Sequence, residues 1–413
     1  MNQATISQIQ AGQVWTEQGF LSRQTISLSG DKISAVGPTD QVQPAETGVI
    51  EAPDCYVIPG LIDLQVNGAL GWSFQAAHQA HFAEVIDFHL AQGTTTMLPT
   101  LVTAPAETLL NSLDVLAAYI EQAGSNMLPG IHLPGIHLPG IHLPGIHLEG
   151  PFLAAEKRGA HDEAALLMPD LDLARQFAAA AQGRLKLLTL APELPGAAPL
   201  IEHFAAEGVV VSAGHSAATY ADMQAAVAAG LTMVTHAGNA SDWPHRALGQ
   251  LGFLTSQPGL VGSLMALDRL AGSIILDGYH FHPALLKPLL QLKGPDQLIL
   301  VSDAAPVAGC PPGDYDSGGL QVTVHPQGFA TSGRGGGWLA GSIITLLTAV
   351  QRAVALAEIP LHQAVAMASL GPARLLNLAD QLGQIQPGYQ ADLLILNPDL
   401  SLRQVIVGGV VNG

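Results

Sequence analysis

Seven short apolar runs, each ending in a polar residue, recur through the middle of the chain and are separated by Ala- and Leu-rich stretches. They are Leu61-Ile-Asp-Leu-Gln-Val-Asn67, Gly145-Ile-His-Leu-Glu149, Leu187-Leu-Thr-Leu-Ala-Pro-Glu193, Val209-Val-Val-Ser-Ala-Gly-His215, Met233-Val-Thr-His236, Ser273-Ile-Ile-Leu-Asp277 and Leu298-Ile-Leu-Val-Ser-Asp303. Strands buried on both faces read this way, and their alternation with helical stretches implies a parallel sheet. In a (β/α)8 barrel the reacting groups project from the C-terminal ends of the strands, so polar residues recurring there argue for one shared site. A doubly wound sheet has similar periodicity, but no Gly-rich dinucleotide fingerprint follows a first strand. The predicted class is α/β, a TIM-like (β/α)8 barrel.

The flanks differ. Residues 1–55 alternate apolar and polar positions between turns, as in Gln24-Thr-Ile-Ser-Leu-Ser-Gly30, and read as a β-meander. Residues 381–413 repeat that pattern in Leu393-Leu-Ile-Leu396 and Gln404-Val-Ile-Val407. The expectation is a small β-sandwich built from both termini, with the barrel over 56–380.

Hydrophobic residues make up 48% of the 413 residues and charged ones 12%, yet no stretch approaches the about 18 apolar residues of a membrane helix. No charged-then-apolar leader opens the chain, so a cytoplasmic location is expected. The net charge of -18 disfavours nucleic acid and anionic membrane surfaces as partners. Cys55 and Cys310 form no CxxC motif, which leaves any metal to His and carboxylate ligands.

One segment breaks the pattern. From Leu128 the unit Leu-Pro-Gly-Ile-His recurs four times, placing histidines at 132, 137, 142 and 147, and only the last copy continues into Leu148-Glu149-Gly150-Pro151-Phe152. A period of five fits neither helix nor strand, and each Pro removes a ladder donor. Residues 128–142 are therefore expected to loop out, leaving His147 and Glu149 in strand register. A stray metal on the repeated histidines is the lesser reading.

His215 and His236 close two apolar runs, and with Glu149 they supply two imidazoles and a carboxylate, a ligand set that suits a catalytic zinc with an open position. Taken singly, a strand-end His is ordinarily structural. Several acid and imidazole ends on one rim weigh against that. Asp303 is placed to act as general base toward a water and then as acid toward a leaving amine, its bland alternative being a helix N-cap.

Pro59-Gly-Leu-Ile-Asp63, His147-Leu-Glu-Gly-Pro-Phe152, Gly159-Ala-His161, Ala213-Gly-His-Ser216, Thr235-His236 with Asn239-Ala240, Asp277-Gly-Tyr-His280, Ser302-Asp-Ala304 and Leu339-Ala-Gly-Ser342 resemble, in order and over nearly the whole chain, the N-acetylglucosamine-6-phosphate deacetylase family of the amidohydrolase superfamily. The resemblance implies that Glu149, His215 and His236 hold metal, that Asp303 is the acid/base, and that His161, Asn239, Ala240 and His280 contact the sugar or its phosphate. It also implies a barrel with a β-sandwich from both termini, and a homodimer.

Many superfamily members carry His-x-His after the first barrel strand, where this chain has Gln65 and Asn67. Neutral amides replace imidazole poorly, so one divalent ion per chain is expected, with zinc favoured and the two amides orienting water or substrate. Asp63 reads equally well as a structural hydrogen bonder. Arg246 is the candidate phosphate clamp, because a guanidinium grips phosphate bidentately; a solvated surface Arg is the alternative. The expected reaction is hydrolysis of N-acetylglucosamine 6-phosphate, a small amino sugar phosphate. The galactosamine epimer, another amidohydrolase activity, or a binding protein impaired by the repeat before Glu149 are the competing readings.

Overall fold

A computed structural model describes residues 6–125, 140–241, 245–246, 256–317, 320–333 and 337–412, with the backbone alone at 123–125, 245–246, 256–257 and 317. The seven apolar runs, joined by Thr94–Val102, which the sequence reading did not single out, form one eight-stranded parallel sheet, in the order Leu61–Val66, Thr94–Val102, Ile146–Glu149, Leu185–Leu190, Val210–Ala213, Met233–Val234, Ala271–Ile275 and Leu298–Val301. At the rim Val66 bridges Ala304 in parallel, and the Asn67 amide donates to the Ala304 carbonyl at 2.9 Å, which brings the last strand back to the first. The chain folds as an α/β barrel.

Ile62, Leu64, Leu98, Leu187, Met233, Ile275, Ile299 and Val301 pack together with Ala373 and Leu382 in one apolar cluster. Nearer the C-terminal ends the side chains become polar. His147 Nε2 meets Thr189 Oγ1 at 2.8 Å, and Thr189 and Ser212 both meet Thr235 Oγ1, at 2.8 and 2.6 Å. Burial holds His147 down at about 4, so it stays neutral and can both donate and accept.

Helices between the strands begin and end where side chains supply the missing partners. Tyr220–Ala229 opens with a capping box between Thr219 and Asp222 and stops at Gly230, whose φ of 114° suits only glycine. Leu171–Ala180 and Leu346–Ala357 are capped by the side chains of Asp170 and Thr345. Among the described residues no helix is long and apolar enough to cross a membrane.

Both terminal regions contribute to one seven-stranded sheet, ordered Val410–Asn412, Leu402–Val407, Leu393–Leu396, Val49–Pro59, Gln8–Thr16, Gly19–Ser29 and Lys32–Pro38. Val49–Pro59 leads straight into the first barrel strand through Gly60, where a Cβ would lie 2.1 Å from Thr95 Oγ1. No side chain fits there.

The expected excursion over 128–142 needs correction at its end. Residues 128–139 lie outside the described residues, but His142 is docked into the barrel. Its amide donates to the Thr95 carbonyl at 2.8 Å and its carbonyl accepts from the Met97 amide at 3.0 Å. Its Nε2 lies 2.8 Å from Oδ2 of Asp392, a buried residue that immediately precedes strand Leu393–Leu396. His142, the last residue of the third copy of the repeat, is thus held by the second barrel strand and by the residue leading into Leu393–Leu396. A pairing partner on each side outweighs the unfavourable period.

Candidate active site

Glu149, His215 and His236 converge at the C-terminal ends of three barrel strands, all buried, with one ligand atom from each lying within 4.8 Å of the others. Glu149 Oε1 is 3.2 Å from His215 Nε2 and 2.9 Å from His236 Nε2. His215 Nδ1 lies 3.0 Å from the Lys157 carbonyl, to which it donates, and this bond orients the ring with Nε2 toward the carboxylate. Two imidazole nitrogens and a carboxylate oxygen form the donor set a divalent ion takes, and no side chain has to move far to close on one.

The cluster is polarised internally. Burial pushes the Glu149 carboxyl up, but the His215 and His236 bonds outweigh it and hold the group well below the usual carboxylate range. Burial likewise pulls His236 down, and Glu149 overcomes it and raises the imidazole. His215 and His236 both adopt positive φ, 49° and 30°, as do Ala240 at 45° and Asp303 at 48°. Non-glycine residues rarely do so, and their concentration at one rim marks backbone held in place by its surroundings.

Asp303 is buried, and Asn67 Nδ2 donates to its Oδ1 at 2.7 Å. Burial, with the negative charge of Glu149, raises the Asp303 carboxyl to about 6. Gly341, at φ 60°, backs onto it so closely that a Cβ would lie 2.9 Å from the Asp303 carbonyl oxygen. Asp63 braces the seam behind this group, its Oδ1 accepting from the Ser302 amide at 3.2 Å and the Gln65 amide at 3.3 Å. The ladder slips between Asp63 and Val66, and the Asp63 carboxylate accepts from amides beside the break.

His161 Nε2 lies 3.2 Å from His215 Nε2 and 4.0 Å from Glu149 Oε2, so this residue sits directly against the Glu/His/His cluster. Burial and the neighbouring His215 hold it down at about 3. Asn239 Nδ2 donates to the His236 carbonyl at 3.1 Å, and the Ala240 carbonyl accepts from the Ser216 amide at 3.2 Å. His280 Nδ1 is 2.6 Å from Asp277 Oδ2, which fixes its ring. Among the described residues, Gln65 Nε2, Asn67 Oδ1, His161 Nδ1 and Asp63 Oδ2 are buried without a hydrogen-bond partner. Arg246 belongs to a two-residue strand, His245–Arg246, paired with Ser256–Gln257, and its side chain lies outside the described residues.

Three supporting groups escaped the sequence reading: the Lys157 carbonyl, Asp277 as the partner of His280, and Glu193 as the partner of Ser216. Asp277 and Glu193 each close an apolar run, which was their one signal. A backbone carbonyl leaves none.

A barrel rim with a convergent Glu/His/His cluster and an acid at its last strand defines the class of metal-dependent hydrolases. The family described as the amidohydrolase family matches residues 56–412, and the chain belongs to it. It is a hydrolytic enzyme acting on an amide. Within that family the chain is 31% identical, over 87% of its length and 86% of the relative's, to N-acetylglucosamine-6-phosphate deacetylase of Lysinibacillus sphaericus. It is 30% identical, over 97% and 98%, to N-acetylgalactosamine-6-phosphate deacetylase of Escherichia coli O157:H7. The crystal structure of N-acetyl-D-glucosamine-6-phosphate deacetylase from Mycobacterium smegmatis superimposes with a TM-score of 0.86 at 31% identity, covering 98% of this chain and 100% of the other.

Proposed function

We propose that this enzyme hydrolyses the acetamido bond of N-acetylglucosamine 6-phosphate, giving glucosamine 6-phosphate and acetate. The observation that carries the reading is the convergence of Glu149, His215 and His236 within 4.8 Å at the barrel rim, in a chain similar over most of its length to deacetylases of acetylated hexosamine phosphates. In this reading the three residues hold one divalent ion, zinc by the chemistry of the donors. When bound, such an ion supplies Lewis acidity to the acetyl carbonyl and to the attacking water. Asp303 takes a proton from the water as the C–O bond forms, then returns it to the nitrogen as the C–N bond breaks. Asn67 keeps Asp303 turned toward the reacting atoms through its 2.7 Å bond.

Gln65, His161, Asn239, Ala240 and His280 are assigned to the sugar and its phosphate, supported by the buried nitrogens on Gln65 and His161 that have no partner among the described residues. Arg246 is assigned to the phosphate on guanidinium chemistry and on the family resemblance, which implies an Arg a few residues after the Asn and ahead of a Pro-Gly-Leu stretch. A homodimer in the cytoplasm and the division at residues 55/56 and 380/381 complete the proposal.

The galactosamine epimer is the second reading, favoured by the similarity to the Escherichia coli enzyme over 97% of the chain. Steady-state kinetics on both acetylated hexosamine 6-phosphates, run with metal analysis, decides between them. Acetate release from neither, by metal-loaded protein, refutes the proposal.

A further inference from the structure

Glu193 lies just beyond strand Leu185–Leu190 and touches none of Glu149, His161, His236 or Asp303 through any hydrogen bond described above. Its carboxylate is nevertheless committed to the loop that follows His215. Oε2 accepts from Ser216 Oγ at 2.6 Å and Oε1 accepts from the Ala217 amide at 2.6 Å. Charge-assisted bonds this short, gripping adjacent residues from both oxygens, leave the loop little freedom. Ser216 is fully buried and continues the connection on its other side. Its amide donates to the Ala240 carbonyl at 3.2 Å, it forms a parallel bridge with Ser241, and its Oγ accepts from the Ala218 amide at 3.0 Å. The residue before Ser216 is His215, and the residue before Ala240 is Asn239; His215 and Ala240 are the positive-φ positions on the two sides of this bridge.

We propose that Glu193, acting through Ser216, is a positioning residue that locks the metal-side His215 and the substrate-side Asn239-Ala240 segment into one arrangement. A left-handed backbone at His215 and Ala240 costs free energy in each loop and persists only where neighbours over-determine it. The Glu193 carboxylate fixes the first loop, and the Ser216 amide passes that constraint to the second. Glu193 therefore sets the distance between the cation ligands and the groups assigned to the sugar. The role rests on the function proposed above, but half of its test does not.

The test uses full-length, metal-loaded enzyme carrying Glu193→Ala, Ser216→Ala or both. Metal retention is read by chelator competition, kcat and KM by steady-state hydrolysis, and folding by thermal melting. Loss of a group that holds a metal ligand's surroundings typically costs about 10–100-fold in affinity or activity, and about tenfold is expected here for both metal retention and kcat/KM. The double variant should lose less than the sum of the two single losses, because the Glu193–Ser216 bond is shared between them. A residue needed only for stability would lower the melting temperature while leaving metal retention and KM of the folded enzyme unchanged, and that result overturns the proposal. Should Glu193→Ala fail to fold, Ser216→Ala, which removes one hydroxyl, decides by the same readings. Chelator resistance is measured without substrate, so an inactive wild type refutes the deacetylase reading without touching this one.

Discussion

At the scale of single residues, the site depends on groups whose protonation is set by burial. Asp303→Asn keeps the side-chain shape and removes the proton acceptor, so turnover should fall by at least about a hundredfold with metal content unchanged. Near-normal turnover in that variant would take Asp303 out of the chemistry. His215→Ala and His236→Ala should instead lose metal and activity together, and metal analysis of a loaded wild type should give one ion per chain. Asp63 makes a different kind of statement. Burial raises its carboxyl from 3.8 to about 7, against the opposing bonds from Ser302 and Gln65. A carboxyl raised in the folded state binds more protons folded than unfolded, so its contribution is fullest below 3.8 and declines as pH rises toward 7. Melting curves of Asp63→Asn against wild type should therefore favour Asn increasingly across that window. A difference that does not change with pH would mean that the charged form is tolerated.

At the scale of elements, the ligand-bearing strand ends were legible because chemistry leaves residue types behind. A His or Glu closing an apolar run is a conspicuous choice, and Glu149, His215, His236 and Asp303 could each be picked out that way. What escaped is what composition does not encode: a carbonyl from Lys157, the slip between Asp63 and Val66, and above all the docking of His142. Four copies of one pentapeptide are identical in sequence, so only tertiary partners distinguish them. Asp392 and the Thr95–Met97 backbone select the third copy in the same way that the barrel selects the fourth. His142 is pulled down by burial and raised more by Asp392, ending above its ordinary value, with Lys32 and Asp31 also facing it. The stabilisation is thus complete below about 6.5 and lost as pH climbs through the higher folded value. Asp392→Asn should destabilise by about 1–3 kcal/mol in the acidic range, and by less at alkaline pH. Removing residues 129–138, two whole units, should leave melting and metal content near wild type, while removing three units should lower the melting temperature.

At the scale of the whole molecule, short apolar runs with polar ends, and no dinucleotide fingerprint after the first of them, pointed to the barrel, and alternation pointed to the terminal β-structure. The order of that sheet could not be read, because pairing partners more than 300 residues apart leave no local signal. That order has a consequence for how the molecule is made. Strand Val49–Pro59 is flanked by Gln8–Thr16, which leaves the ribosome before it, and by Leu393–Leu396, which leaves it more than 300 residues later. At about 5–20 residues per second, one side of Val49–Pro59 waits on the order of tens of seconds with its amides and carbonyls unpaired. An exposed apolar strand edge is a template for pairing with another chain. Synthesis is then the interval in which this protein is most exposed to its own neighbours on a polysome, and the late C-terminal strands serve as the cap that ends it.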